Sequence, residues 1–236
     1  MIENPQNLGI ATALNQGLVY AREHGYTHAL LFDQDTEPFQ HLASSMRQVA
    51  SRRADLERVA VIGINSLDGS LQKRLYRFSP GDALAKEVAT VVTSGSLVSL
   101  QIAASLGPFR EELFIDFVDD EYCLRARSKG FKILLIPEPL AVHALGSPKF
   151  RRLPWRTIGT SNHAALRRYY MTRNHVVLVK EYAFREPGWV LRSLYARMKS
   201  FLLLLLFDDD RLLKMRFMWR GLIDGIAGRM GELPRH

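Results

Sequence analysis

Three short stretches hold the residues with chemistry to offer. In HALLFDQDTEP, residues 28–38, an apolar run ends in Asp33 and Asp35 on either side of Gln34. Two carboxylates in an extended turn can approach one hard cation, which prefers oxygen ligands. The plainer reading has Asp33 opening a turn and Asp35-Thr36 capping a helix, and for the triplet alone it carries the better odds. A second stretch, FIDFVDDEYCLRARSKG at 114–130, gathers Asp116, Asp119, Asp120 and Glu121 at the mouth of a helix. The helix dipole favours acids there, which accounts for one or two of them. Four so close together repel one another unless a cation, a basic side chain or a proton relieves them. The third stretch is AVHALG at 141–146, where His143 follows an apolar run. A lone histidine at a strand end is usually just a satisfied one. Two acid clusters and a histidine at the edges of apolar elements point instead to a metal and general-base site.

Such groups need a layered scaffold, and the hydropathy pattern predicts one. Helical spacing runs through IATALNQGLVYAREHG and stops at Gly25. HALLF reads as a buried strand, FQHLASSMRQVASRRADL as an amphipathic helix and VAVIGI as a further strand. The polar NSLDGSLQKRLYRFSPGDA has room for a hairpin. EVATVVTSGSLVSL is rich in β-branched residues and is broken at Ser94-Gly95-Ser96. A helix follows over 119–129, ended by Gly130, and KILLIP and LAVHAL read as two short strands. This alternation predicts an α/β layer architecture with a largely parallel sheet. In such sheets ligands sit outside the carboxyl ends of the strands, which is where Asp33 and Asp35 fall.

Beyond about residue 147 the strand pattern stops, and arginine and lysine become dense among large apolar residues. A boundary in GSPKFRRLPW divides the chain into a core at 1–147 and a helical region at 148–236. The 236 residues, 47% hydrophobic and 24% charged, have the balance of a folded protein. A single cysteine, Cys123, excludes a disulfide within the chain and fits a reducing, cytoplasmic compartment. The opening MIENPQNLGIATALNQG lacks the pattern of a signal peptide, and the longest apolar run, FLLLLLF, is too short to span a bilayer.

The ordered set NLGIATALNQGL, LLFDQDTEP, TSGSLVS, FIDFVDDEYCLRARSKGF, AVHALG and RRYYMTRNHVVLVKEY resembles family 2 glycosyltransferases. The resemblance is nearest to bacterial rhamnosyltransferases of O-antigen and other surface polysaccharides, and covers roughly residues 4–182. It implies a GT-A fold and an inverting, metal-dependent transfer from a nucleotide sugar, dTDP-L-rhamnose, to a glycan or lipid-linked glycan. Asp33 and Asp35 match the family's DxD motif; Asp35 would ligate Mg²⁺ or Mn²⁺, with Asp33 near the ribose or the ion's waters. Asp119 matches the aspartate that takes the acceptor's proton, and Glu121 the acid that supports it. His143 matches a histidine that completes the metal site in several relatives. Ser94 and Gly95 match the small-residue turn beside the donor sugar. Relatives usually begin with strands that hold the nucleotide base, and this chain begins at the region after them. The resemblance therefore also admits a non-catalytic remnant or assembly subunit that has lost its base pocket.

The net charge of +8 permits phosphate, nucleic acid or anionic lipid as a partner without choosing among them. Residues 189–230 mix Arg and Lys with Trp189, Phe201, Phe217 and Trp219, as an interfacial membrane helix pair requires. Helices that simply pack on the core would use the same leucines. No nucleic-acid recognition motif accompanies the charge.

Overall fold

The computed structural model describes residues 2–69, 74–76, 83–143, 149–153, 156–160 and 162–233, without the side chains of 149–153 and 156–158. Most of the polar excursion at 65–83 and much of the connection at 146–155 lie outside the described residues. The chain forms two compact units: Met1–Glu111 with Val118–Ala144, and Glu112–Phe117 with Leu145–His236.

The first unit is built on one sheet of β1 (His28–Leu31), β2 (Thr36–Pro38), β3 (Val59–Asp68), β4 (Lys86–Glu87), β5 (Ser96–Ser99) and β6 (Lys132–His143). The order is β1-β5-β3-β6-β2, with β4 also paired to β6. Parallel pairing runs along the central β3–β6 ladder, while the shorter strands join antiparallel. The sheet is thus mixed, with the expected parallel character concentrated at its centre. Among the described residues, its α-helices are α1 (Ile10–Glu23), α2 (Leu42–Ser51), α3 (Leu100–Leu106) and α4 (Val118–Ser128).

Spacing explains what each helix buries. On α2, Leu42, Met46 and Val49 recur at helical intervals and pack on Val59, Ile62 and Ile64 of β3 and Leu134, Ile136 and Leu140 of β6. Truncating a side chain as enclosed as Leu134 to alanine should cost about 2–5 kcal/mol. On α1 the buried residues are Ala11, Asn15 and Leu18. Asn15 donates to the Phe109 carbonyl at 2.9 Å and accepts from the Phe109 amide at 2.7 Å, tying α1 to the segment after α3.

Several expectations change. HALLF is no buried strand: β1 ends the strand order, its burial alternates, and Leu30 is 40% exposed. KILLIP and the LAVH of the second run form one strand, β6, despite Pro137 and Pro139. Proline removes ladder donors, and the register of β3 against β6 shifts at Asn65. There the buried Asn65 carboxamide donates to the carbonyls of Pro137 and Tyr76 and accepts from the Tyr76 amide, so the irregular stretch keeps its polar groups paired. The helix expected through residue 56 stops at Ser51, and Arg53 and Lys132 both bind Asp55 beyond it.

The second unit holds a hairpin, β7 (Lys149–Leu153) and β8 (Arg156–Thr160), which the sequence reading did not anticipate. Three helices follow: α5 (Ala165–Tyr182), α6 (Pro187–Phe207) and α7 (Arg211–Ala227). Gly221 and Gly225 let α7 lie directly on α5. A Cβ at either would stand 2.5 Å from the Tyr169 carbonyl oxygen or 2.8 Å from that of Arg173. Within this unit Phe114, Asp116 and Phe117 adopt left-handed backbone, with φ of 64–65°. Such strain persists only where the surroundings over-determine it. Here the Asn174 amide donates to the carbonyls of Leu113, Ile115 and Asp116 at 2.9–3.0 Å. Arg173 holds those of Glu112 and Leu113. Among the described residues, no helix is long and apolar enough to cross a membrane.

Candidate metal centre

Where β1 leaves the sheet the chain turns sharply, the Thr36 amide donating to the Asp33 carbonyl at 3.2 Å before β2 begins. Thr36 pairs in register with His143, the last residue of β6. Sheet geometry therefore delivers the imidazole to the DQD turn across 107 residues of chain. Ligand atoms of Asp33, Asp35 and His143 all lie within 4.8 Å of one another. His143 Nδ1 is 3.6 Å from Asp35 Oδ1. The capping alternative for Asp35-Thr36 does not hold, because the N-cap of α2 is His41 and no side chain bonds there.

Thr36 is the residue that sequence reasoning passed over. Its hydroxyl lies 2.6 Å from His143 Nδ1 and 2.6 Å from Ser94 Oγ, and Ser94 Oγ accepts from the Asp33 amide at 3.0 Å. A hydroxyl in contact with Nδ1 holds the orientation of the imidazole that a metal would use. The signal was present as a hydroxyl beside the second aspartate, but it read as a cap. Ser94 is buried, and Gly95 follows with φ of +78° while its amide donates to the Leu31 carbonyl. A Cβ at Gly95 would collide with Ile64 Cδ1, so the turn needs glycine for its backbone and for its packing.

The acids of the second cluster take different partners. Glu121 is buried and takes Arg125 in two hydrogen bonds of 2.9 and 3.0 Å. Arg125 also donates to the carbonyls of Leu106 and Pro108, which anchors α4 to the segment after α3. Asp116 turns to Arg167 in the second unit. Two of the four acids are thus paired with arginines. Asp119 is half-buried in the first turn of α4 and accepts from the Asp120 amide at 2.9 Å. It lines a narrow recess with Leu31, Thr93, Ser96 and Cys123. Burial raises the Tyr76 phenol, and the Asp119 and Asp120 carboxylates add to the effect. Cys123 is raised in the same way, chiefly by burial and then by its acidic neighbours, so it remains an inert thiol.

Two carboxylates and an imidazole are a donor set suited to Mg²⁺ or Mn²⁺, and their convergence from two strand ends fits such an ion. No family model matches the chain. It is 30% identical to the dTDP-rhamnosyl transferase RfbF of Shigella flexneri, over 75% of this chain and 61% of that protein. The chain thus spans less than two thirds of this curated relative. In three dimensions it resembles the crystal structure of GalNAc-T7 with UDP, GalNAc and Mn²⁺, with a TM-score of 0.53 at 14% identity. That likeness covers 97% of this chain and 44% of the other, and it shows the GT-A fold. In fold the chain is thus a GT-A protein, and in sequence it is similar to a dTDP-rhamnosyl transferase over three quarters of its length.

Proposed function

We propose that the chain carries out metal-dependent, inverting transfer of L-rhamnose from dTDP-L-rhamnose to a glycan or lipid-linked glycan acceptor. The observation that carries this reading is the meeting of Asp33, Asp35 and His143 within 4.8 Å at the end of the sheet. The 30% identity to a dTDP-rhamnosyl transferase supports the choice of donor. Asp35 and His143 would hold the cation, with Asp33 beside it, and Ser94 and Gly95 would border the donor sugar. A bound Mg²⁺ or Mn²⁺ would neutralise charge on the donor's diphosphate.

Asp119 acts as general base. The acceptor oxygen bonds to the anomeric carbon while its proton passes to the Asp119 carboxylate. The bond from that carbon to the diphosphate oxygen breaks with its electron pair, and the configuration inverts. Glu121 supports this by pinning Arg125 and so fixing the first turn of α4. The acceptor would be met at the inner, cytoplasmic face of a membrane that the basic C-terminal helices touch.

The test is incubation of the chain with dTDP-L-rhamnose, Mn²⁺ and an acceptor glycan, followed by mass analysis of the product. Addition of one deoxyhexose, abolished by a chelator, is expected. Binding of Mn²⁺ and dTDP without any transfer would favour the non-catalytic reading.

A further inference from the structure

Helices α6 and α7 each carry a stripe of exposed apolar side chains, of which Leu194 and Met198 also border a cavity beside α5. On α6, Leu191, Leu194, Tyr195, Met198, Leu202 and Leu206 are 45–68% exposed. At about 100° per residue they fall within an arc of roughly 120°. The helix buries Trp189, Val190 and Leu204, which lie outside that arc. On α7, Leu212, Trp219, Ile223 and Ile226 are 44–80% exposed and share an arc of about 60°. Single exposed leucines are ordinary, whereas contiguous stripes of large apolar side chains mark an interaction surface.

Charge decides the partner. α6 contains no acidic residue, and the one acid of α7, Asp224, is buried and accepts from Tyr169 and Arg229. Arg192 and Lys199 flank the first stripe and Arg216 and Arg220 the second, all of them exposed. Asp209 and Asp210, exposed at the turn between the helices, bound the surface at that end. A second copy laid on these stripes would set arginine and lysine against their own kind, with no exposed acid on either helix to pair them; the buried Asp224 lies 3.9 Å from Arg220 within the same chain. An anionic lipid surface meets both features, because it accepts apolar side chains at the acyl boundary and pairs basic ones with phosphate. Tyr195 and Trp219 are also the residue types that favour that boundary.

We infer that these two stripes are the face on which the chain lies against an anionic bilayer, with Arg192, Lys199, Arg216 and Arg220 at the headgroup phosphates. This deepens, and rests on, the membrane contact in the proposed function, and it is independent of the sugar transfer itself.

The experiment uses the whole chain with vesicles of phosphatidylglycerol and phosphatidylcholine, or of phosphatidylcholine alone. Cosedimentation is measured across a salt series, and tryptophan emission alongside it. The chain should bind the anionic vesicles, release with salt and shift its tryptophan emission to the blue. The Met198→Glu/Leu202→Glu variant should bind weaker by on the order of tenfold or more. Its thermal midpoint and Mn²⁺ binding should stay unchanged, since both side chains are exposed. Equal binding by that variant would overturn the assignment of the face while leaving membrane contact standing. Failure of the unaltered chain to bind anionic vesicles would overturn both. Self-association in solution that the double substitution abolishes, without vesicle binding, would show the stripes to be a contact between copies.

Discussion

The Thr36 hydroxyl lies 2.6 Å from His143 Nδ1, joining the residue after the DQD triplet to the end of the longest strand. Through Ser94 Oγ the same hydroxyl connects to the Asp33 amide, so one side chain orients parts of the site drawn from three segments. Partners of this kind typically set metal affinity by 10–100-fold. Thr36→Val should therefore weaken Mn²⁺ binding by about that factor with little change in thermal midpoint. Thr36→Ser, which keeps the hydroxyl, should retain most of the affinity. Calorimetric titration of Mn²⁺ into the three proteins checks this, and equal affinities would remove Thr36 from the site.

Asp119 and Asp120 are neighbours with opposite expected roles. Asp119 lines the recess beside Leu31 and Thr93, while a residue one position along a helix is rotated by about 100°. Asp119→Asn should retain dTDP and Mn²⁺ binding and lose transfer by at least ~100-fold, whereas Asp120→Asn should cost little. Initial rates with saturating donor separate the two. A dead Asp120→Asn beside an active Asp119→Asn would reverse the assignment of the base.

Much of this site was legible in the sequence because both of its edges are chain-local signals. An apolar run that ends in two aspartates, and another that ends in a histidine, mark strand ends without any tertiary information. Their pairing was not legible, because the β2–β6 register joins positions 107 apart. Thr36 was hidden by its type, since a hydroxyl next to an aspartate reads equally as a helix cap. Pairing in the acidic cluster followed the same division: Glu121 to Arg125 is a helical i,i+4 pair, while Asp116 reaches Arg167 across 51 residues. The proline-interrupted run at 132–143 read as two strands, because nothing local tells that Asn65 on β3 bridges the break.

His175 should give the second unit a pH signature. Burial among Phe117 and Trp189 holds its pKa down to about 4, with Arg197 adding to the effect. The unfolded chain, with a pKa of about 6.5, takes up the proton first. Its contribution is therefore fully present above about pH 6.5 and is lost as pH falls toward 4. His175→Gln should flatten that part of the stability profile, lowering the midpoint at neutral pH and narrowing the gap to the unaltered chain at pH 4.5. Thermal midpoints between pH 7.5 and 4.5 check it. Parallel profiles would show that folding leaves the proton affinity of His175 unchanged.

The claim on which the rest depends is that Asp33, Asp35 and His143 together hold the cation that receives the donor's diphosphate. Calorimetric titration of dTDP into the chain, with and without Mn²⁺, and into its Asp35→Ala variant, tests it most directly. Mn²⁺ should tighten dTDP binding in the unaltered chain, and Asp35→Ala should remove that gain without lowering the thermal midpoint. Identical dTDP affinity with and without Mn²⁺, or a Mn²⁺ effect that survives in Asp35→Ala, would contradict it.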